Sequence, residues 1–150
     1  MEVFRISAEK YSSKLSASGS ANRWNEDGQF VIYTGSSRSL SSLELVVHRS
    51  SIKPKIKYKV MVIHLPDKES LFKQILIKDL PANWRSIVSY PKLQKMGSKW
   101  YKSKESLILK IPSAIIPQEY NYIINTTHTD FSSNIKLINT EDYFWDSRLF

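Results

Sequence analysis

Three side chains with different chemistries lie within one stretch in the first third of the sequence. They are the guanidinium of Arg23, the phenol of Tyr33 and the carboxylate of Glu44. A guanidinium binds phosphate oxygens in pairs, and a fixed carboxylate can stabilise a developing positive charge. Polar residues at strand ends and helix starts commonly surround a ligand. This stretch is therefore the first candidate for a site that binds an anionic substrate.

The elements that must position these residues can be predicted from the apolar pattern. The β-branched run 30–34 follows a turn signal and predicts a buried strand that ends near Tyr33. After it, leucine and valine recur at helical spacing. Glu44 is therefore expected in the first turns of a helix that Ser39 or Ser41 caps.

The remaining pattern predicts an α+β fold with more strand than helix. The number of strand candidates also favours a substantially antiparallel sheet. One domain, residues 1–150, accounts for the length, which is large enough to bury a core. Further strands are expected at 2–6, 56–65, 106–111, 120–124, 134–138 and 143–145, and helices at 8–15 and 91–104.

Composition narrows the classes of function. The net charge of +8 favours an anionic partner, either a nucleic acid, a phosphorylated small molecule or an acidic protein. The absence of cysteine excludes disulfides, a thiolate nucleophile and a cysteine metal site. The N-terminus does not resemble a signal peptide, and no apolar run approaches the roughly 20 residues that span a bilayer. A cytoplasmic protein without membrane contact is expected.

Several common sites are absent from the sequence. His48, His64 and His128 share no ligand spacing, so no metal is expected. The four glycines form neither a P-loop nor a dinucleotide-binding G-x-G-x-x-G, and no serine lies in a G-x-S-x-G elbow.

Lysines are concentrated in two places, which supports an alternative function. A basic module would contact nucleic acid through the segment 53–59 and through a stripe on the 91–104 helix, and its affinity would fall steeply with salt. A solvated helix face is the more common explanation of such a stripe. The stripe consists of Lys92, Lys95, Lys99 and Lys102.

Two residues from the second half of the chain complete a recognisable set. Ser113 follows a strand at a proline, and Asn125 ends another strand. With these residues the chain resembles the RES domain family, named for its Arg, Glu and Ser. Matching pieces follow in order along nearly the whole chain: Val3–Ile6, Arg23–Asn25, Val31–Thr34, Leu43–Glu44, His48, Leu80–Pro81 with Trp84, Gly97 with Trp100, Pro112–Ala114, Asn121–Tyr122, Asn125 with His128, and Asp146–Leu149.

The resemblance implies the toxin of a bacterial toxin–antitoxin pair that depletes NAD. It also implies a fold like that of ADP-ribosyltransferases, with a split, mixed and largely antiparallel sheet and short flanking helices. It implies Arg23, Tyr33, Glu44 and Ser113 as catalytic residues. NAD is then the substrate, bound by Arg23, Tyr33, Ser113 and Asn125. A helix-turn-helix (Xre-type) antitoxin would cover the cleft, a homodimer is plausible within the complex, and direct nucleic-acid binding is not expected.

The residue types suit cleavage of the nicotinamide–ribose bond. Positive charge develops on the ribose, as in glycoside hydrolysis, and nicotinamide leaves as a neutral pyridine. One carboxylate, Glu44, can therefore suffice. Arg23 suits the diphosphate, Tyr33 can stack on nicotinamide or hold the ribose, and Ser113 can orient the ribose or the attacking water or phosphate.

Structural interpretations of the same residues stay open from the sequence alone. Ser41 and Glu44 have the spacing of a capping box, so Glu44 could merely close a helix start. Arg23 could be a surface ion-pair partner, Tyr33 a core aromatic, and Ser113 a turn residue. The acceptor is also open: water or phosphate would make a glycohydrolase or phosphorylase, and a macromolecule would make an ADP-ribosyltransferase.

Overall fold

The computed structural model describes residues 1–49, 52 and 55–149. Within these ranges the chain forms a seven-stranded sheet in the order β4-β5-β6-β2-β1-β3-β7. Among the described residues, β4 and β5 are parallel and all other neighbouring strands are antiparallel. The strands are β1 Glu2–Ala8, β2 Val31–Gly35, β3 Tyr58–His64, β4 Phe72–Gln74, β5 Ile108–Pro112, β6 Tyr120–Asn125 and β7 Lys136–Asp142; the helices are α1 Arg38–His48, α2 Tyr90–Ser103 and α3 Phe131–Asn134.

The predicted α+β class with a mixed, largely antiparallel sheet and few helices is confirmed. Two predicted elements are wrong. The residues at 8–15 form only a short 3₁₀ turn, Glu9–Tyr11, and residues 143–145 form no strand. The segment 71–77, whose sequence pattern does not decide between helix and strand, contains the short strand β4. Part of the basic segment 53–59 lies outside the described residues.

The two longer helices pack on the same face of the sheet. Phe4 and Ile6 of β1 contact Leu45 of α1, while Val31 of β2 belongs to the core under α2. Because Phe4 pairs with Gly35 and side chains alternate along strands, these residues share one face. α1 and α2 therefore stand side by side over the sheet.

The strands β1 and β2 are joined at a single point. Within the described residues, their register contains the pair Phe4↔Gly35 and no other. From that pair β1 continues toward Ala8, and β2 runs back toward Val31, without backbone pairing between them. This separation is the split in the sheet, and a cavity lined by residues of both strands lies beside it.

The opposite face carries the largest single apolar cluster among the described residues. Ile32, Met61, Ile63 and Ile124 are all fully buried there, at the centre of a cluster that extends from β5 to β3. At roughly 25 cal/mol per Å² of buried apolar surface, such side chains supply most of the stabilisation. Apolar side chains therefore pack on both faces of the sheet and fix the positions of β1 and β2 at the split.

Candidate active site

The cavity beside the split has a volume of ≈ 430 Å³ and is lined by residues of α1 and of the loop 22–24. Three of the predicted residues, Arg23, Tyr33 and Glu44, line it. They come from three separate elements: the loop 22–24, β2 and α1. The volume lies within the range of small-molecule sites.

Glu44 is positioned by the start of α1. The hydroxyl of Ser37 accepts a hydrogen bond from the Leu40 N–H and caps the helix. The prediction that Ser39 or Ser41 caps it is therefore wrong. Ser41 instead lies inside the helix and donates to the Phe4 carbonyl of β1. That bond fixes the rotation of α1, so that Glu44, one turn later, points toward β5 and β6.

The Glu44 carboxylate is held by two side chains from those strands. Ser113 Oγ donates to Glu44 Oε1 at 2.8 Å, and Asn121 Nδ2 donates to the same oxygen at 2.7 Å. The capping-box interpretation of Glu44 is excluded, since Ser41 does not cap the helix. With both donors on Oε1, the second oxygen, Oε2, is the one available to a ligand.

Ser113 lies behind Glu44 rather than in the cavity. It is fully buried, and its hydroxyl also accepts hydrogen bonds from the N–H groups of Ile115 (3.1 Å) and Ile116 (3.2 Å). Two accepted bonds and one donated bond use the full capacity of a hydroxyl. Ser113 is therefore placed to orient the carboxylate and the 113–116 turn, and its direct contact with a substrate remains a prediction.

Arg23 is delivered by a tight turn in which Asn22 and Asn25 exchange backbone hydrogen bonds. The adjacent Trp24 is buried against α2 at Gly97. A Cβ at Gly97 would lie 1.7 Å from the Trp24 carbonyl oxygen, so glycine is required for this close approach. The loop carrying Arg23 is thereby fixed against α2.

The guanidinium of Arg23 is only partly used by the protein. Its Nη1 donates to the carbonyls of Trp84 (3.0 Å) and Arg85 (3.2 Å), and its plane lies 4.7 Å from the ring centre of Tyr90. Among the described residues it makes no ion pair with a carboxylate. The surface ion-pair interpretation therefore fails, and further N–H donors stay available for phosphate.

Tyr33 presents its ring to the cavity and uses its hydroxyl to support the Arg23 turn. The hydroxyl donates to Asn25 Oδ1 at 2.7 Å and accepts from the Trp24 N–H at 3.1 Å. Burial, chiefly, raises the pKa of Tyr33 above its ordinary value. The phenol is thus protonated at neutral pH and keeps its donated bond.

Asn125 does not join this group. It is fully buried at the far end of β6, where its side chain donates to the Tyr101 carbonyl and accepts from Thr127. It does not line the cavity. Its geometry supports a structural role in the 125–128 turn, and its predicted contact with NAD finds no support there.

The cavity is also lined by two residues whose roles the sequence did not reveal. Asn121 binds Glu44, and Arg5 lies on the unpaired side of β1. Both lie within pieces that carry the family resemblance. An amide near the start of a strand and an arginine within an otherwise apolar strand were the available signals, since strand interiors seldom hold either without a polar partner.

The lysine stripe faces solvent. Lys92, Lys95, Lys99 and Lys102 are all exposed, while Trp100 on the other side of α2 is buried and bonds Ser106. A solvated helix face accounts for this arrangement. No group of three or more residues able to hold a metal occurs among the described residues. Nor does any helix in the described ranges have the length and apolarity to cross a membrane.

A family profile for the RES domain matches residues 2–146. The chain belongs to the RES domain family. It is 32% identical to "Toxin Res" of Photorhabdus laumondii, over 99% of this chain and 97% of that protein, and 32% identical to "Toxin Res" of Pseudomonas putida over the full length of both. Similarity at 32% identity also extends to the "Prs ADP-ribosylating toxin" of a Sphingobium species, over 85% of this chain and 79% of that protein.

The fold of this RES domain matches a solved structure. The chain resembles a chain of the M. tuberculosis MbcT–MbcA toxin–antitoxin complex with a TM-score of 0.73 at 15% identity. The likeness covers 95% of this chain and 83% of the chain in that complex. At this identity the likeness concerns the fold alone.

Proposed function

We propose that this RES domain is the toxin of a toxin–antitoxin pair and cleaves NAD at the nicotinamide–ribose bond. The observation that carries the proposal is the Glu44 carboxylate, held on Oε1 by Ser113 and Asn121 beside a cavity that Arg23 also lines. A carboxylate fixed in this way has one oxygen free for the substrate and needs no reorganisation during the reaction.

The reaction requires stabilisation of a cation and no acid. As the bond from the ribose carbon to the nicotinamide nitrogen lengthens, positive charge grows on the ribose. Both bonding electrons leave with nicotinamide, which becomes a neutral pyridine. Glu44 Oε2 would hydrogen-bond the ribose hydroxyls and stabilise the cation, and a fixed charge of this kind contributes several kcal/mol.

The other residues of the cavity fit the rest of the substrate. Arg23 has unused donors for the diphosphate, and its stacking on Tyr90 keeps the guanidinium plane fixed. The Tyr33 ring offers a surface for nicotinamide or ribose. Ser113 would act through Glu44, as a positioning residue. The contacts of these residues within the protein support the proposed roles.

The experiment is incubation of the purified chain with NAD, followed by chromatography of nicotinamide and of the ribosyl product. Nicotinamide release with free ADP-ribose identifies hydrolysis, and a phosphate-dependent ADP-ribose phosphate identifies phosphorolysis. Intact NAD after incubation under all conditions would overturn the proposal.

Transfer of ADP-ribose to a macromolecule is the second candidate. It is favoured by the similarity to the Prs ADP-ribosylating toxin of Sphingobium. The same carboxylate and cavity would serve, with a protein nucleophile in place of water. Labelled NAD separates the two, since transfer leaves label on a protein band and hydrolysis leaves it in ADP-ribose.

A helix-turn-helix antitoxin is the proposed partner, and the solved structure of similar fold is a toxin–antitoxin complex. An acidic antitoxin segment would enter the cavity near Arg23, where it would replace the diphosphate. Arg23→Glu is expected to weaken the complex, and undiminished affinity would contradict this. A homodimer within the complex and a cytoplasmic site of action, where NAD is available, complete the proposal.

A further inference from the structure

Two tyrosines line the cavity beside the split, and they come from different elements. Tyr33 lies in β2, and Tyr90 is the first residue of α2. Burial is the main cause that raises the pKa of Tyr33, and the nearby phenol of Tyr90 raises it further. The two phenols are therefore close to each other on one wall of the cavity. They differ in what their hydroxyl groups bind.

The Tyr33 hydroxyl is occupied by the protein. It donates its proton to Asn25 Oδ1 at 2.7 Å and accepts a hydrogen bond from the Trp24 N–H at 3.1 Å. A phenol has a single proton to donate, so a substrate could receive it only if the bond to Asn25 broke. That break would also loosen the turn that carries Arg23. Tyr33 can therefore offer the substrate its ring, and its proton stays with the protein.

The Tyr90 hydroxyl differs from that of Tyr33. Within the described ranges it makes no hydrogen bond, and it does not belong to the buried polar atoms that lack a partner. The hydroxyl is therefore accessible, and the half-buried residue that carries it lines the cavity. Tyr90 thus supplies, beside the occupied phenol of Tyr33, an O–H donor that no described residue uses.

The position of Tyr90 is fixed by its neighbours. The preceding Ser89 is buried, and its Oγ lies 2.9 Å from both the carbonyl oxygen and Oδ1 of Asn83. Pro91 follows in the first turn of α2, where its ring restricts the backbone. On the face of the Tyr90 ring, the guanidinium carbon of Arg23 lies 4.7 Å from the ring centre. The phenol and the guanidinium are therefore held together at one part of the cavity.

We propose that Tyr90 is a substrate-binding residue whose hydroxyl donates a hydrogen bond to the phosphate oxygens that Arg23 also binds. This inference rests on the proposed function, since it requires the diphosphate of NAD at Arg23. A hydrogen bond to a charged oxygen is roughly twice as strong as one between neutral groups. The phenol contact with the substrate is then made by Tyr90, while Tyr33 contributes its ring and supports the turn.

The first test is equilibrium binding of NAD to the Glu44→Gln protein, in which NAD should stay intact. Adding Tyr90→Phe removes the hydroxyl and keeps the ring over Arg23. It should weaken NAD binding about tenfold, a change of about 1.4 kcal/mol, with thermal unfolding unchanged. Tyr11→Phe, at an exposed tyrosine that lines neither cavity, is the matched control and should leave the affinity within about twofold. Equal NAD affinity of the two tyrosine variants would overturn the proposal.

Two fragments of NAD identify the group that the hydroxyl contacts. ADP contains the diphosphate without nicotinamide, and nicotinamide riboside contains the scissile bond without phosphate. Tyr90→Phe should weaken binding of ADP about tenfold and leave that of nicotinamide riboside within about twofold. The reverse pattern, or absence of saturable ADP binding to the wild type, would overturn the proposal.

The second test uses steady-state cleavage of NAD. Tyr90→Phe should raise KM about tenfold with kcat within about twofold, because the contact is made before and during the reaction alike. In an Arg23→Lys background the same substitution should have a smaller effect, since both side chains bind one anion. A fall in kcat at constant KM would overturn the inference while leaving the proposed function intact. Weaker ADP binding by Tyr90→Phe, in a protein that releases no nicotinamide, would instead contradict the proposed function alone.

Discussion

The two edges of strand β1 differ in how far they pair with a neighbouring strand. On one edge it pairs with β3 over its whole length, from Glu2↔His64 to Ala8↔Tyr58. On the other, within the described ranges, it pairs with β2 at Phe4↔Gly35 alone. The first edge lies over fully buried apolar side chains such as Met61, and the second borders the cavity with Arg5, Tyr33 and Glu44.

This difference shows which edge of β1 borders the polar side chains of the candidate site. A paired edge satisfies the backbone hydrogen bonds, and fully buried apolar side chains such as Met61 and Ile63 pack there. The unpaired edge gives up backbone hydrogen bonds and gains a groove in which a carboxylate and two guanidinium groups can face a ligand. We therefore expect substitutions at the paired edge to change stability and those at the open edge to change NAD cleavage.

Glu44→Gln should have the largest effect on activity. Glutamine keeps an oxygen for Ser113 and Asn121 but removes the charge, so NAD cleavage should fall about 10²–10³-fold with the fold unchanged. Nicotinamide release and thermal unfolding are measured together. Glu105→Gln, at an exposed position outside the cavity, is the control and should retain activity. Normal turnover by Glu44→Gln would remove the carboxylate from the mechanism.

Met61→Ala tests the paired edge. Met61 is fully buried, and its truncation should lower the free energy of unfolding by about 2–5 kcal/mol. Ile138→Ala on the exposed edge strand β7 is the control, with a loss below about 1 kcal/mol. Urea denaturation measures both. KM for NAD should stay unchanged in the folded Met61→Ala protein, and a large rise in KM would show that the two edges are not separable.

Ser113→Ala should lower kcat about tenfold with little change in KM, because it loosens Glu44 without touching the substrate. The N–H groups of Ile115 and Ile116 also lose their acceptor, at a cost of about 1–3 kcal/mol in stability. Steady-state kinetics with NAD measure kcat and KM separately, and Ser132→Ala at an exposed position is the control. A rise in KM with constant kcat would instead place Ser113 on the substrate.

Arg23→Lys should have the smallest effect. Lysine keeps the charge but loses the planar fork and the stacking on Tyr90, so KM for NAD should rise by about three- to tenfold while kcat changes little. The exposed Arg148→Lys substitution is the control. Unchanged KM would mean that the diphosphate is bound elsewhere in the groove, with Arg5 as the next residue to substitute.

Much of the fold could be predicted from local pattern. Local sequence pattern alone predicts five of the strands and one helix. These are the alternating or β-branched strands β1, β2, β3, β5 and β6 and the amphipathic helix α2. Helix α1 was found, but its cap was placed on Ser39 or Ser41 instead of Ser37. Several serines in a row offer equivalent caps, and the choice depends on the Ser41 bond to the Phe4 carbonyl, a tertiary contact.

The site was harder to predict because its members are distant in sequence. Ser113 and Asn125 both follow the same local pattern, a polar residue at a strand end, yet Ser113 holds Glu44 and Asn125 closes a turn. Sheet order decides between them, since Asn125 pairs with Val31 at the far end of β2. Asn121, in the same strand, is the amide that reaches the carboxylate.

The location of NAD is the central claim, and a crystal structure of Glu44→Gln with NAD tests it most directly. The nicotinamide ribose should lie beside residue 44, with the diphosphate at Arg23, inside the split between β1 and β2. NAD bound outside this groove, or a groove that stays empty at saturating NAD while the wild type cleaves it, would contradict the account.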